Sequence, residues 1–437
     1  MVFQEEENLV YGLKLSSVGP ARVTGTDVVH EPAAADLAMK LHYLRGVYFF
    51  AGTAVEGLTV PRIKESMFSW CSDYHTTSGR FRRSDSGRPY IKCNDCGVRF
   101  IEAKCDRTVD EWLQADRHGS LLRLLVSHQV VGPELFFSPT FLVQVTHFNC
   151  GGMSVGLSWA HILSDPFSAS DCFNTYGRTL SGLLHPDVPK GPRTLSVPGR
   201  LADPPKPARE PVSIKRVGPV GDNWVVDNSC TMEAFTFHLS PDQLARLKSK
   251  VGGQSHGEQF PLFESLCAIL WQLIAKVRAG NEPSTVTLIR NDPSKREDGL
   301  LSNSLKICTV EADFSVAGAY PGEIARALVD RAQDESGLIE EAVERDGGVT
   351  DYVVYGANLS FVDLEEVSMY GLRLNGNQPI FASYVIEGVG DEGAVFVLPG
   401  PPSSSKDGGN GRAVTIVLPE NQLLQLKSEL EEQDMLV

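Results

Sequence analysis

Two short runs with a period of two carry the clearest pattern in the chain. Phe141, Val143 and Val145 alternate in the first, and Met153, Val155, Leu157 and Trp159 alternate in the second. Between them lies Asn149-Cys150-Gly151-Gly152, so the pair reads as two strands joined by a tight turn. Continuing the period past Trp159 puts His161 on the same inward side. A helical period appears earlier, where Val60, Ile63, Met67, Trp70 and Tyr74 share one face behind Thr59, a good N-cap. A second helix is expected at about 167–184. Residues 90–93 and 97–102 read as strands around the turn Asn94-Asp95-Cys96-Gly97.

The mixture recurs in the second half. TMEAFTFHL (231–239) reads as a strand, and Ser240-Pro241 suits the N-cap and first position of a helix over 241–250. FPLFESLCAILWQLIAKVR (260–278) is the most apolar helical stretch and should lie against a sheet. Further strands are expected near 284–290, 305–312, 357–362, 380–387, 394–398 and 413–418, with helices near 321–345 and 419–432. Between the halves, prolines crowd from Pro186 to Pro211. Each removes a backbone donor and fixes φ, which disfavours both helix and central strand, so a long crossover is expected there. The Gly-, Pro- and Ser-rich segment 400–412 reads as a mobile loop. Without a strict βαβ rhythm, the chain reads as α/β with a mixed sheet in each half rather than as a doubly wound fold. At 437 residues it exceeds the roughly 250–300 at which single cores stop growing. The expected division is 1–185, a crossover over 186–224, and 225–437.

Composition narrows the function classes. Charged residues are 22% and hydrophobic ones 42%, enough apolar material for substantial cores. The net charge of −15, with no basic block to offset it, argues against nucleic acid as a partner. An anionic substrate such as CoA would need a local basic patch. Nine cysteines, an odd number spread thinly, fit reduced intracellular thiols better than a disulfide framework. The acidic start MVFQEEENLV lacks the form of a signal peptide, and no stretch reaches the roughly 18–20 apolar residues of a spanning helix. A soluble, cytoplasmic monomer without a transmembrane span is the expectation.

Four motifs compete for the chemistry. Gly152-Met153-Ser154-Val155-Gly156 matches a nucleophile elbow, but that motif needs a sharp strand-to-helix turn, and Ser154 lies inside an alternating strand. Cys93-Asn94-Asp95-Cys96 has metal-ligand spacing without a second pair, so no metal site is expected. SELEEQD near the C-terminus reads as the solvated face of a last helix. His161-Ile162-Leu163-Ser164-Asp165 remains. A histidine at a strand end facing inward can be a general base in a channel between the halves. On spacing alone the simpler reading is a core histidine bonded to backbone, with Asp165 capping the next helix.

The surroundings of this motif carry a resemblance. GLSWAHILSDPFSAS (156–170), His75–Arg80 and Leu270-Trp271 resemble the plant BAHD acyl-CoA acyltransferases along nearly the whole chain, and the first contains the family's His-x-x-x-Asp motif. DLAMKLHYLRGVYFF (36–50), YIKCNDCGVRF (90–100), YGANLSFVDLEEVSMYGL (355–372) and ASYVIEGVGDEGAVFVLP (382–399) are similar to its eceriferum/glossy branch of cuticular wax proteins. The resemblance implies two similar chloramphenicol-acetyltransferase-like domains, a channel between them and a long crossover. It implies His161 as the general base and Asp165 as structural support of the motif, with acyl-CoA as substrate or ligand and no permanently bound cofactor. For the branch it implies an accessory role in elongating very-long-chain acyl-CoAs, beside a membrane-bound β-ketoacyl-CoA synthase at the endoplasmic reticulum. The alternative is an acyl-CoA-dependent acyltransferase acting on a hydroxyl or amine.

The sequence also departs from the family. The second signature, Asp-Phe-Gly-Trp-Gly, should fall just before Pro379, where Arg373-Leu374-Asn375-Gly376-Asn377-Gln378 stands. Pro166 replaces the glycine after the motif aspartate. The segment whose arginine pairs with that aspartate has become LIRNDPSKR (288–296), with Arg290 the nearest candidate. A channel that keeps its shape while the chemistry relaxes is the expectation, with His161 lining it.

Overall fold

The computed structural model describes residues 9–127, 134–182, 209–253, 259–297, 299–402 and 411–436. Thirteen of its strands form two mixed sheets. In chain order they are β1 (Tyr11–Val18), β2 (Tyr43–Phe50), β3 (Val98–Cys105), β4 (Phe141–Phe148), β5 (Met153–Ala160), β6 (Met232–Leu239) and β7 (Thr285–Asn291). They continue as β8 (Leu305–Glu311), β9 (Gln333–Asp334), β10 (Leu359–Asp363), β11 (Phe381–Glu387), β12 (Ala394–Pro399) and β13 (Arg412–Pro419). The first sheet has the order β1-β3-β4-β5-β2-β11 and the second β6-β13-β12-β10-β7-β8-β9. One apolar core runs from Leu44 and Trp159 of the first sheet to Phe396 and Val417 of the second. Another lies beneath the helix α3 (Leu262–Val277), which buries residues around most of its circumference.

The alternating pair is the hairpin β4–β5, in register from Phe141↔Trp159 to His147↔Met153. Its second face is also covered. Gln144 donates to the Leu124 carbonyl at 2.9 Å and Ser158 to that of Ser127, so the segment 121–127 lies across the strands. At Gly156 a Cβ would stand 1.9 Å from the Leu125 oxygen, so only glycine admits this crossing. That packing, not a nucleophile elbow, accounts for the second glycine of the Gly-x-Ser-x-Gly run. Ser154 is fully buried within β5.

Helix α1 (Val60–Asp73) buries Ile63, Met67 and Trp70, and the hydroxyl of Thr59 accepts from the Arg62 amide. It packs on α2 (Pro166–Leu180), where Trp70 donates to the Cys172 carbonyl and Tyr176 to that of Ile63, both at 3.0 Å. These elements match the sequence pattern to within a few residues.

Three expectations need correction. Residues 89–92 pair not with β3 but with Arg80–Arg83 and Val29–His30 in a small separate sheet. Asp95 and Gly97 both have positive φ, and Arg80 donates to the carbonyls of Gly79, Cys96 and Gly97, which sends the chain from one sheet into the other. The helix expected over 321–345 is two, Pro321–Asp330 and Ser336–Arg345, separated by β9. The break is held by Glu335, whose buried carboxylate accepts from the amides of Val212 and Ser213, both at 2.9 Å. The strand at 381–387 also leaves its own half: β11 pairs antiparallel with β2 along its whole length and edges the first sheet.

Residues 186–208 of the expected crossover, and 403–410 of the expected loop, lie outside the described residues. The described end of the crossover is tied to both halves. Lys40 donates to Asp351 at 2.8 Å, and the same carboxylate accepts from the Val220 amide at 2.9 Å. Trp224 then drives its ring against Phe81, centroids 4.9 Å apart, with no exposed surface. Removing a buried aromatic leaves a cavity as well as lost transfer energy. Trp224→Ala should therefore destabilise the protein by about 3–5 kcal/mol, read as a lower denaturant midpoint, whereas Trp224→Phe should recover most of the loss.

Candidate functional site

Pairing of β2 with β5 places two histidines together. Tyr43 faces Ala160 across the ladder, and just beyond it the His161 amide donates to the His42 carbonyl at 3.0 Å. Both rings are fully buried. From the second half comes Tyr355, whose ring meets the face of His42 edge-on at 4.9 Å between centroids. Its hydroxyl lies 2.8 Å from Nε2 of His161. Nδ1 of His161 is buried without a hydrogen-bond partner among the described residues, so the contact of Nε2 with the tyrosine hydroxyl is the hydrogen bond that the ring makes. The sequence expectation that His161 lines a channel is thus corrected. The ring has no exposed surface, and Tyr355, likewise fully buried, sits where the channel was expected to reach it.

Asp165 is fully buried and fully bonded. Its carboxylate accepts from Arg296 at 2.9 and 3.0 Å, from the Ser304 amide at 2.8 Å and, as N-cap of α2, from the Ser168 amide at 2.9 Å. Its partner is Arg296, not Arg290, which instead pairs with Glu264 at 2.7 Å. The turn Pro293–Lys295, capped by Asp292, brings the later arginine back to the motif. Truncating one partner of such a pair costs about 3–5 kcal/mol, because a buried charge is left uncompensated. Asn303 links this hub to the histidine, donating to the His161 carbonyl and to Asp36, both at 2.9 Å.

Burial dominates the electrostatics. It lowers the His161 pKa against the opposing pull of Asp165, its own carbonyl and Asn303. Burial, helped by the neighbouring His161, takes His42 down to about 3. Asp36 is pushed up to about 6, again by burial. Tyr355 is held well above its ordinary value by burial and by Asp165. Both rings are therefore neutral at physiological pH.

A cavity of about 890 Å³ opens between the two sheets, within the roughly 300–1,000 Å³ of small-molecule sites. Leu41, Val47, Trp224, Met232, Val385 and Val417 give it mainly apolar walls. Arg45, Arg123, Glu233, Glu387 and Glu420 supply its charges, so among the described residues its lining carries no excess of positive charge. His161 is absent from that lining. Gly388 belongs to it, and a Cβ there would stand 3.4 Å from His42 Nδ1, so His42 is just behind the cavity wall. Among the described residues no group of three His, Cys, Asp or Glu is placed to hold a metal ion, and Cys93 and Cys96 are free thiols.

The segment that replaces the second signature is a tight turn. Leu372 and Leu374 enter the core shared by both sheets, and Asn375, at positive φ, donates to the Glu56 carbonyl at 3.1 Å. It supports the first half and makes no contact with His161 among its hydrogen bonds.

Residues 32–291 match the sequence profile of the Transferase family. Over 97% of its length the chain is 42% identical to protein ECERIFERUM 26 of Arabidopsis thaliana, of which the match covers 95%. The chain belongs to the BAHD transferase family. ECERIFERUM 2 of the same plant is 37% identical over 97% of this chain and 99% of its own. Hydroxycinnamoyltransferase of Narcissus pseudonarcissus is 25% identical over 87% and 90% of the two chains. Vinorine synthase shares the fold at a TM-score of 0.69 and 15% identity, covering 97% of this chain and 98% of its own. So does F. graminearum TRI101 complexed with coenzyme A and deoxynivalenol, also at 0.69, with 12% identity, covering 93% and 98%. The likeness thus runs along nearly the whole chain, to cuticular wax proteins of the BAHD family and at lower identity to a hydroxycinnamoyltransferase. No helix among the described residues is long and apolar enough to cross a membrane.

Tyr355 was not singled out from sequence, although it opens the block YGANLSFVDLEEVSMYGL that carried the closer resemblance. No spacing rule connects it to a histidine 194 residues away.

The buried rings set a pH dependence. A histidine with a lowered pKa stays neutral while its unfolded counterpart binds a proton near 6.5, so stability is full above that pH and falls as pH drops. Each such ring contributes about 1.4 kcal/mol per pH unit between 6.5 and its folded value, which is about 3 for His42 and about 4 for His30. Asp36 and Asp363, both pushed up to about 6 by burial, act in the opposite sense below that pH and offset much of this loss. His42→Gln removes one histidine contribution, so its denaturant midpoint, relative to that of wild type, should rise as pH drops from 6.5 to 4.5.

Proposed function

We propose that this protein is an accessory factor for very-long-chain fatty acyl-CoA elongation in cuticular wax biosynthesis, acting with a β-ketoacyl-CoA synthase. The observation that carries the reading is the closed histidine: Nε2 of His161, the nitrogen a base must present to an acceptor, is bonded to Tyr355 in a fully buried site. A chain that keeps the family framework while withholding its base fits assistance better than turnover. The likeness to ECERIFERUM 26 and ECERIFERUM 2 supports wax as the setting. In this reading the cavity between the sheets takes part of a long acyl chain, because its walls are mainly apolar and its lining offers no surplus positive charge for the phosphates of CoA. Association with the endoplasmic reticulum comes through the synthase.

The second reading is acyl transfer with His161 as general base, favoured by the retained His161 and its supported Asp165. It requires Tyr355 to withdraw. His161 would then take the acceptor's proton as the acceptor heteroatom attacks the thioester carbonyl and the CoA thiolate leaves.

Co-expression with a condensing enzyme separates the two, with acyl-product lengths and pull-down read together for wild type and His161→Ala. The accessory reading expects a folded His161→Ala protein to bind the synthase and still extend product length. Loss of the longer products with folding and binding intact would overturn it. Base catalysis is typically worth about 10²–10⁴ in rate, so the difference is large enough to read.

A further inference from the structure

We infer that Tyr355 is a built-in pseudo-acceptor: its hydroxyl occupies the position at His161 Nε2 that an incoming hydroxyl must reach, and its ring closes that position to solvent and to other acceptors. A general base must lie within roughly 2.6–3.2 Å of the oxygen whose proton it removes. Tyr355 is at 2.8 Å, the distance of a bound acceptor. It is not a bound acceptor in waiting, because no exposed surface remains on either ring through which a thioester could approach.

The backbone around the tyrosine explains why the position stays closed. The Val354 amide donates to His42 Nε2 at 3.0 Å, the Tyr355 carbonyl accepts from the Gly390 amide at 2.9 Å, and the Gly356 amide donates to the Ser360 hydroxyl at 3.0 Å. Three consecutive residues are thus pinned to three different segments. The ring is held as well, between His42 at 4.9 Å, His161 at 5.5 Å and Phe396 at 6.1 Å between centroids. Withdrawing the plug would break a buried hydrogen bond and strand both the hydroxyl and Nε2 without partners. Each stranded group costs about 1–3 kcal/mol. Tyr355 is therefore a static plug rather than a lid, and His42 is its positioning residue, gripping the backbone beside it while its ring meets the tyrosine edge.

The inference deepens the accessory reading by naming the contact that withholds the base. Its test needs no acyl product, so the two can fail separately. The full chain is treated with diethyl pyrocarbonate, which carbethoxylates accessible neutral imidazole, and labelling is mapped by peptide mass spectrometry. Exposed His118 is the internal reference. In wild type, His161 should label at least about 100-fold more slowly than His118, because only opening of a packed core element exposes it. Tyr355→Phe keeps the ring and should stay protected. Tyr355→Ala should bring His161 to within about tenfold of His118, with Tyr355→Leu as the partial opening read in its place should the alanine variant unfold. Wild-type His161 labelling as fast as His118 overturns the inference, and so does continued protection in a folded Tyr355→Ala or Tyr355→Leu protein.

Discussion

One fully buried hydrogen bond, between a tyrosine oxygen and a histidine nitrogen 194 residues apart, decides what this framework can do. In bulk solvent it would contribute little. Buried, it matters because neither group has another partner at that position, so breaking it leaves two unsatisfied polar atoms. The scaffold converges on it from several directions. The β2–β5 ladder sets His42 beside His161, the Asp165–Arg296 hub fixes the loop after the histidine, and the turn at 354–356 delivers the tyrosine.

The same geometry divides the molecule's interior by chemistry. On one side of His42 is the closed histidine site, and on the other is a mainly apolar cavity between the sheets. A transferase needs its base and its acyl site to share one space. Here a wall of Leu41 and Gly388, then His42, then Tyr355, stands between them. Separating the two permits a long apolar ligand to bind without exposing its thioester to a base, as an accessory role in elongation requires. Strand β11 gives the wall its stiffness, since it originates in the second half and completes the first sheet.

Much of this was legible in the chain. Alternation locates β4 and β5, the helical period and Thr59 locate α1, and the family resemblance points to His161 and Asp165. What periodicity could not carry was pairing across the halves. The pattern at 381–387 marks a strand but not the sheet it joins, because an apolar alternation fits either edge. Arg296 was missed for Arg290 because a turn of three residues separates the nearer arginine, facing Glu264, from the one that returns to Asp165. Tyr355 was the hardest case. A lone tyrosine between two short strands has no local signature, and its role exists only in the tertiary contact.

The most direct test is to follow the ring nitrogens of His161 by NMR in the histidine-labelled wild-type protein from pH 7.5 to 5. The account predicts a ring whose midpoint lies below its ordinary value and whose Nε2 stays hydrogen-bonded to Tyr355. A ring that titrates with a midpoint near the ordinary value of about 6.5, or whose Nε2 shows no hydrogen bond, would contradict it.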